Sequence, residues 1–177
     1  MNLPNKLTIL RMIAVIPTVL LLLLGKSSGA GIAAGVLFIL ASVTDLLDGL
    51  IARRRKLITN FGKFMDPLAD KLLVTAVLVC LVSLGRVPVW AVLIVLGREF
   101  AMTGFRMIAA EKQMVISASR LGKRKANFQT FWLIALLFPF AWTPWQILTQ
   151  VLMWIALALT VGSFVEYLLK NPGILKE

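Results

Sequence analysis

The chain has 177 residues, 59% of them hydrophobic, and a mean hydropathy of +0.89; a soluble domain averages roughly 45–50% apolar residues, so the excess points to a bilayer as solvent. Lys and Arg number 19 against 8 Asp and Glu, a net charge of +11, but most basic residues sit between apolar blocks, which fits membrane topology and anionic lipid surfaces rather than nucleic acid. With no histidine and one cysteine, Cys80, an internal disulfide, a cysteine metal cluster and histidine acid–base chemistry are excluded.

A spanning helix needs about 20 mostly apolar residues. Six spans are predicted, in order Leu7–Leu24, Ala30–Ile51, Leu68–Leu84, Val87–Ile108, Phe128–Trp142 and Trp145–Leu169. The first has few charges before it and no clear small-residue cleavage site, so it is expected to be retained rather than removed as a signal peptide. Short connections end on turn formers at Gly25–Gly29, Gly85–Arg86 and Thr143–Pro144. Cys80 lies in an apolar run and reads as a small buried hydrophobe.

Basic residues cluster on one side of these spans, chiefly at Lys6, Arg53–Lys56, Lys112 and Arg120–Lys125, while Lys26 and Arg86 mark the other. The positive-inside rule then places both termini and the two long loops in the cytoplasm. The expected fold is all-α: one polytopic domain over residues 1–177 with six transmembrane helices. Gly31 and Gly35 form a small-xxx-small pair that allows close helix contact.

All four aspartates fall between Asp45 and Asp70. Asp45 and Asp48, spaced i,i+3, end the second span, and Asp66 and Asp70, spaced i,i+4, begin the third, so each pair shares a helix face. Antiparallel spans joined by the basic stretch Arg53–Lys63 bring both pairs to one depth near the cytoplasmic interface. An Asp at the centre of a spanning helix costs about 2.5–3.5 kcal/mol, and less near the interface; four together call for something positive to bind. An all-oxygen set suits a hard divalent cation, Mg²⁺ or Mn²⁺, better than zinc. Asp66 also reads as a helix N-cap followed by Pro67 in the first turn, which leaves Asp45 and Asp48 unexplained.

Gly49 and Ala52 accompany the first pair and Gly62 precedes the second, leaving room for a phosphorylated ligand. Arg53 follows, where a guanidinium can pair with phosphate oxygens. In order the residues read Asp45-x-x-Asp48-Gly49-x-x-Ala52-Arg53, eight residues, then Gly62-x-x-x-Asp66-x-x-x-Asp70. This resembles the signature of the CDP-alcohol phosphotransferases, with every defining position filled. Within that family the chain looks most like members that join CDP-diacylglycerol to glycerol 3-phosphate. The supporting stretches are Leu3–Arg11, Phe61–Lys71, Arg98-Glu99 with Arg106, and Leu121–Lys125, although Ala126 follows where Thr is expected.

The resemblance implies two divalent ions, Mg²⁺ or Mn²⁺, held by Asp45, Asp48, Asp66 and Asp70, with Asp70 also the general base for the acceptor hydroxyl. It implies that Gly49, Ala52, Arg53, Thr59 and Gly62 contact the nucleotide or its phosphates, with Asn5, Thr8 and Arg11 closing that pocket from the first helix. A polar helix start with an interfacial anchor explains those last three equally well. Arg106, Arg120, Lys123 and Lys125, in or beside the second long loop, are expected to clamp the phosphate of the acceptor; ordinary topology charges and a structural Arg98–Glu99 pair are the plainer alternative. The expected partners are the two substrates, membrane lipids and a second copy in a homodimer, and the expected place is the bacterial cytoplasmic membrane with the site facing the cytoplasm. Two rivals stay open: the same chemistry with inositol phosphate, serine or phosphatidylglycerol as acceptor, and a divalent-cation transporter.

Overall fold

The computed structural model describes residues 3–25, 28–54, 60–112, 119–138 and 140–172, with the side chains of 3, 4, 28, 46, 48–54, 60, 61, 63 and 64 left out. The described residues form six α-helices and no strand: α1 Leu3–Leu24, α2 Ser28–Arg54, α3 Asn60–Ser83, α4 Val89–Glu111, α5 Arg120–Leu137 and α6 Thr143–Lys170. They divide into two compact units, one of residues 1–86 with 136–139, the other of residues 87–135 with 140–177.

In the first unit α1 packs against both α2 and α3, which touch each other only sparsely. The buried stripe of α1 runs Asn5, Thr8, Arg11, Val15, Thr18 and Leu22, a spacing of three and four that keeps one helix face inward. Its outward face is Leu10, Ile13, Ile16, Leu20 and Leu23, with Ile16 62% exposed. Polar inside and apolar outside inverts the pattern of a soluble helix. Lipid as the surrounding solvent explains it, because a helix satisfies its own backbone while buried polar side chains find partners in the bundle.

α1 from Asn5 to Leu24 and α6 from Thr143 to Lys170 are long and apolar enough to cross a membrane, and Gly29–Asp45 of α2 is a shorter apolar stretch. α3, α4 and α5 carry charges along their length, among them Asp66, Asp70, Arg98, Glu99 and Lys125.

Several boundaries differ from the sequence expectation, most in α3 and α5. α3 begins at Asn60 rather than Leu68, so Pro67 lies inside the helix and Asp66 is not its N-cap. α5 begins at Arg120 rather than Phe128 and ends at Leu137 rather than Trp142, so Arg120–Lys125 are helical and not loop. In both cases hydropathy marks where a helix becomes apolar, whereas the backbone starts its hydrogen-bonded turns in the polar residues before. The Thr143–Pro144 connection likewise proves to be the first turn of α6, where proline is well suited.

The turn at Gly85 is as expected. Gly85 has φ +68°, its N–H donates to Val82 O and that of Arg86 donates to Leu81 O, both at 2.9 Å; this is the left-handed helix ending that glycine accommodates without strain. Gly35 packs inside its own unit: a Cβ there would meet the Phe138 ring at 3.0 Å and Leu137 Cβ at 3.3 Å. Half of the small-residue pair is therefore used within the chain. Cys80 is buried, as its apolar setting suggested.

In the second unit α4 packs on α6. The inward stripe of α4, Ala91, Val95, Met102 and Ala109, faces Met153, Ala156, Thr160, Ser163 and Tyr167 of α6. Trp90 meets Trp154 at 5.7 Å between ring centroids, and Phe105 meets Phe164 and Tyr167 at 6.0 and 6.1 Å. The partners advance together in number, so the two helices run parallel.

Candidate active site

Two carboxylates of the first unit are anchored on α1. Thr8 Oγ1 donates a hydrogen bond to Asp66 Oδ1 at 2.5 Å, and Arg11 Nη1 pairs with Asp45 Oδ1 at 2.5 Å. Arg11 Nε also donates to the carbonyl of Ala41 at 3.3 Å, one turn before Asp45 on α2. Thr8 and Arg11 stand three residues apart on one face of α1, about 4.5 Å along its axis. Carboxylates from two different helices thus attach to one turn of a third.

The inward stripes of α2 and α3 explain the placement. On α2, Ala34, Phe38 and Ala41 are buried and Asp45 continues their face; on α3, buried Gly62, Ala69 and Leu73 flank Asp66. Asp45 and Asp66 are half-buried, whereas Asp70, one turn beyond Asp66, is exposed. Asp48, Gly49, Ala52 and Arg53 lie on the last turns of α2 with side chains outside the described ones, and Thr59 lies outside the described residues altogether. Asn5, Thr8 and Arg11 are buried, facing α2 and α3.

As for a metal, the donors present are hard carboxylate oxygens, the chain has no histidine and Cys80 is buried within α3. That chemistry fits Mg²⁺ or Mn²⁺. Each carboxylate has two oxygens and about four lone-pair directions, so one bond to α1 does not exhaust it. Among the described residues no three acidic or cysteine side chains form a ready-made ion cage; the Asp48 side chain is not among them.

The second unit holds a separate polar cluster. Glu99 Oε1 accepts from Arg98 Nη1 at 2.9 Å and from Lys125 Nζ at 2.5 Å, while Arg98 Nη2 donates to Ser163 Oγ at 3.2 Å. The structural Arg98–Glu99 pair is real and extends to α5 and α6. Of the expected phosphate clamp, Lys125 is buried in this cluster, whereas Arg106, Arg120 and Lys123 are exposed. Ser119 Oγ accepts from the N–H of Gly122 at 2.9 Å and so caps the helix that carries three of these cations.

Sequence reasoning missed Ser163 as the partner of Arg98, and missed the carboxylate ties of Thr8 and Arg11. The signals were present: a serine in an apolar span, and a polar i,i+3,i+6 run at Asn5, Thr8 and Arg11 on one face.

Comparison with known proteins agrees with the resemblance. The profile described as CDP-alcohol phosphatidyltransferase matches residues 1–162, and the chain belongs to that family. A Bacillus subtilis protein named CDP-diacylglycerol–glycerol-3-phosphate 3-phosphatidyltransferase is 41% identical, with 99% of this chain and 97% of that one covered. A Rickettsia typhi protein of the same name is 41% identical over 94% of each chain. A Mycobacterium tuberculosis protein named probable phosphatidylglycerophosphate synthase is 38% identical, over 94% of this chain and 79% of its own.

Proposed function

We propose that this chain transfers the phosphatidyl group of CDP-diacylglycerol to glycerol 3-phosphate, giving phosphatidylglycerophosphate and CMP. The observation that carries this is the attachment of Asp45 and Asp66, from two helices, to one turn of α1, in a chain whose family acts on CDP-alcohols. The names of the similar proteins support glycerol 3-phosphate as acceptor.

In the reaction the acceptor hydroxyl oxygen forms a bond to the β-phosphorus, and the bond from that phosphorus to the CMP oxygen breaks. Asp70, exposed on α3, takes the hydroxyl proton; in a chain without histidine a carboxylate is the natural base. Bound Mg²⁺ or Mn²⁺, two per site on Asp45, Asp48, Asp66 and Asp70, supplies charge neutralisation for the diphosphate. Gly49, Ala52, Arg53, Thr59 and Gly62 line the nucleotide and its phosphates, with Asn5, Thr8 and Arg11 behind them. Arg106, Arg120 and Lys123, which are exposed, supply the positive charge that a phosphorylated acceptor requires, and Lys125, held on Glu99, adds to it from within the cluster.

The same proposal includes six spans, both termini and the site on the cytoplasmic face of a bacterial membrane, and a homodimer. The basic residues between apolar blocks support the orientation, and the apolar outer face of α1 supports a lipid surround. Acyl tails then stay in the bilayer while the headgroup reaches the site.

Purified protein with labelled CDP-diacylglycerol and a panel of acceptors is the test. CMP release with glycerol 3-phosphate in preference to inositol phosphate, serine or phosphatidylglycerol is expected. Preference for another acceptor rejects the substrate choice, and cation flux in liposomes without CMP release rejects the enzyme.

A further inference from the structure

Arg11 and Thr8 are almost fully enclosed, at 2% and 0% exposure. A buried arginine is costly unless its charge is matched; here the guanidinium is ion-paired with Asp45, and its Nε donates to the Ala41 carbonyl. The guanidinium is thereby fixed at two points of α2, a turn apart. Thr8 is a neutral donor, so its hydrogen bond directs the Asp66 carboxylate without placing a cation beside it. The two aspartates are thus held by different means, one beside a cation and one by a neutral hydroxyl.

We infer that Thr8 and Arg11 are positioning residues for the carboxylate site. α1 serves as a stiff backing strip that orients Asp45 and Asp66 and thereby sets the affinity for a hard divalent cation. This rests on the reading that these aspartates hold such a cation, and it deepens that reading by assigning the shell that aims them. Groups that orient metal ligands commonly contribute 10- to 100-fold to metal affinity. Thr8 contributes through direction, because its hydroxyl touches one ligand oxygen and its backbone belongs to a different helix from either aspartate.

The test is direct binding of Mn²⁺ to the purified full-length protein in detergent, read as loss of the free-ion electron paramagnetic resonance signal, with no turnover required. Thr8→Val keeps the shape of the side chain and removes the donor, whereas Thr8→Ser keeps the donor. Thr8→Val is expected to weaken Mn²⁺ binding by about 10- to 100-fold, and Thr8→Ser to stay within about threefold of the native value. Equal affinity in the native protein and folded Thr8→Val overturns the inference while leaving the metal reading intact. Equal losses in Thr8→Ser and Thr8→Val also overturn it, since the hydroxyl is then not the cause. If native protein binds no Mn²⁺, the metal reading itself falls. Should Thr8→Val fail to fold, Arg11→Lys serves instead: it keeps the charge near Asp45 and loses the second anchor on Ala41, and native Mn²⁺ affinity in that variant overturns the inference.

Discussion

Glu99 and Lys125 meet through a single carboxylate oxygen, Lys125 Nζ lying 2.5 Å from Glu99 Oε1, and that oxygen also receives Arg98 at 2.9 Å. Two cations share one anion in a largely buried setting, the Lys125 side chain being 5% exposed. Removing the anion takes away the carboxylate that these two cations share. Glu99→Ala is expected to destabilise the protein by about 3–5 kcal/mol, the usual cost of breaking a buried pair from one side. Thermal unfolding in detergent measures it. Adding Lys125→Met to Glu99→Ala should recover part of the loss, and strict additivity of the two changes would show that the pair is not coupled.

Arg106 differs from Lys125 in being exposed, so its removal should leave folding intact. If it binds the acceptor phosphate, Arg106→Ala forfeits a charge-assisted hydrogen bond of about 1.5–3 kcal/mol, or roughly 10- to 150-fold. The loss should appear in KM for glycerol 3-phosphate, with KM for CDP-diacylglycerol nearly constant. A uniform change in both would argue against the clamp.

Asp70→Asn keeps the size of the side chain and removes its basicity. Turnover is expected to fall by at least about 10²–10⁴-fold, the span of general-base contributions, while CDP binding by calorimetry largely survives. Loss of the folded state instead would assign Asp70 a structural role.

Chelation should abolish activity, and Mg²⁺ or Mn²⁺ should restore it, because the donor set is oxygen only. Zinc at matched free concentration should restore little.

Glycines give a contrast in folding energy. A Cβ on Gly25 would lie 2.1 Å from Ala30 Cβ and 2.4 Å from Leu21 O, whereas one on Gly97 would meet nothing within 4 Å. Gly25→Ala should therefore destabilise by about 1–3 kcal/mol through overpacking. Gly97→Ala, inside α4, should be neutral or stabilise by up to about 1 kcal/mol, because helical glycine costs conformational entropy. Paired melting curves separate the two.

Much was legible in the chain itself. The apolar blocks located the six helices of the described residues, of which α1 and α6 are long and apolar enough to cross a membrane. The spacing of Asp45, Asp48, Asp66 and Asp70 identified the family, and the family match over residues 1–162 agrees with it. Gly85 marked its turn by the same local logic, a backbone conformation that side-chain-bearing residues avoid.

Local signals stop where partners come from distant segments. Hydropathy placed the start of α3 at Leu68 and of α5 at Phe128, yet the helices begin at Asn60 and Arg120, because polar residues adopt helix as readily as apolar ones when tertiary packing supports it. Nothing in the residue order told which side chain takes which carboxylate. That Thr8 meets Asp66 across 58 positions, that Arg11 meets Asp45, and that Lys125 turns inward to Glu99 rather than outward with Lys123 were decided by helix packing alone. Composition and spacing are properties of one segment; the pairing of charges is a property of the helices that enclose them.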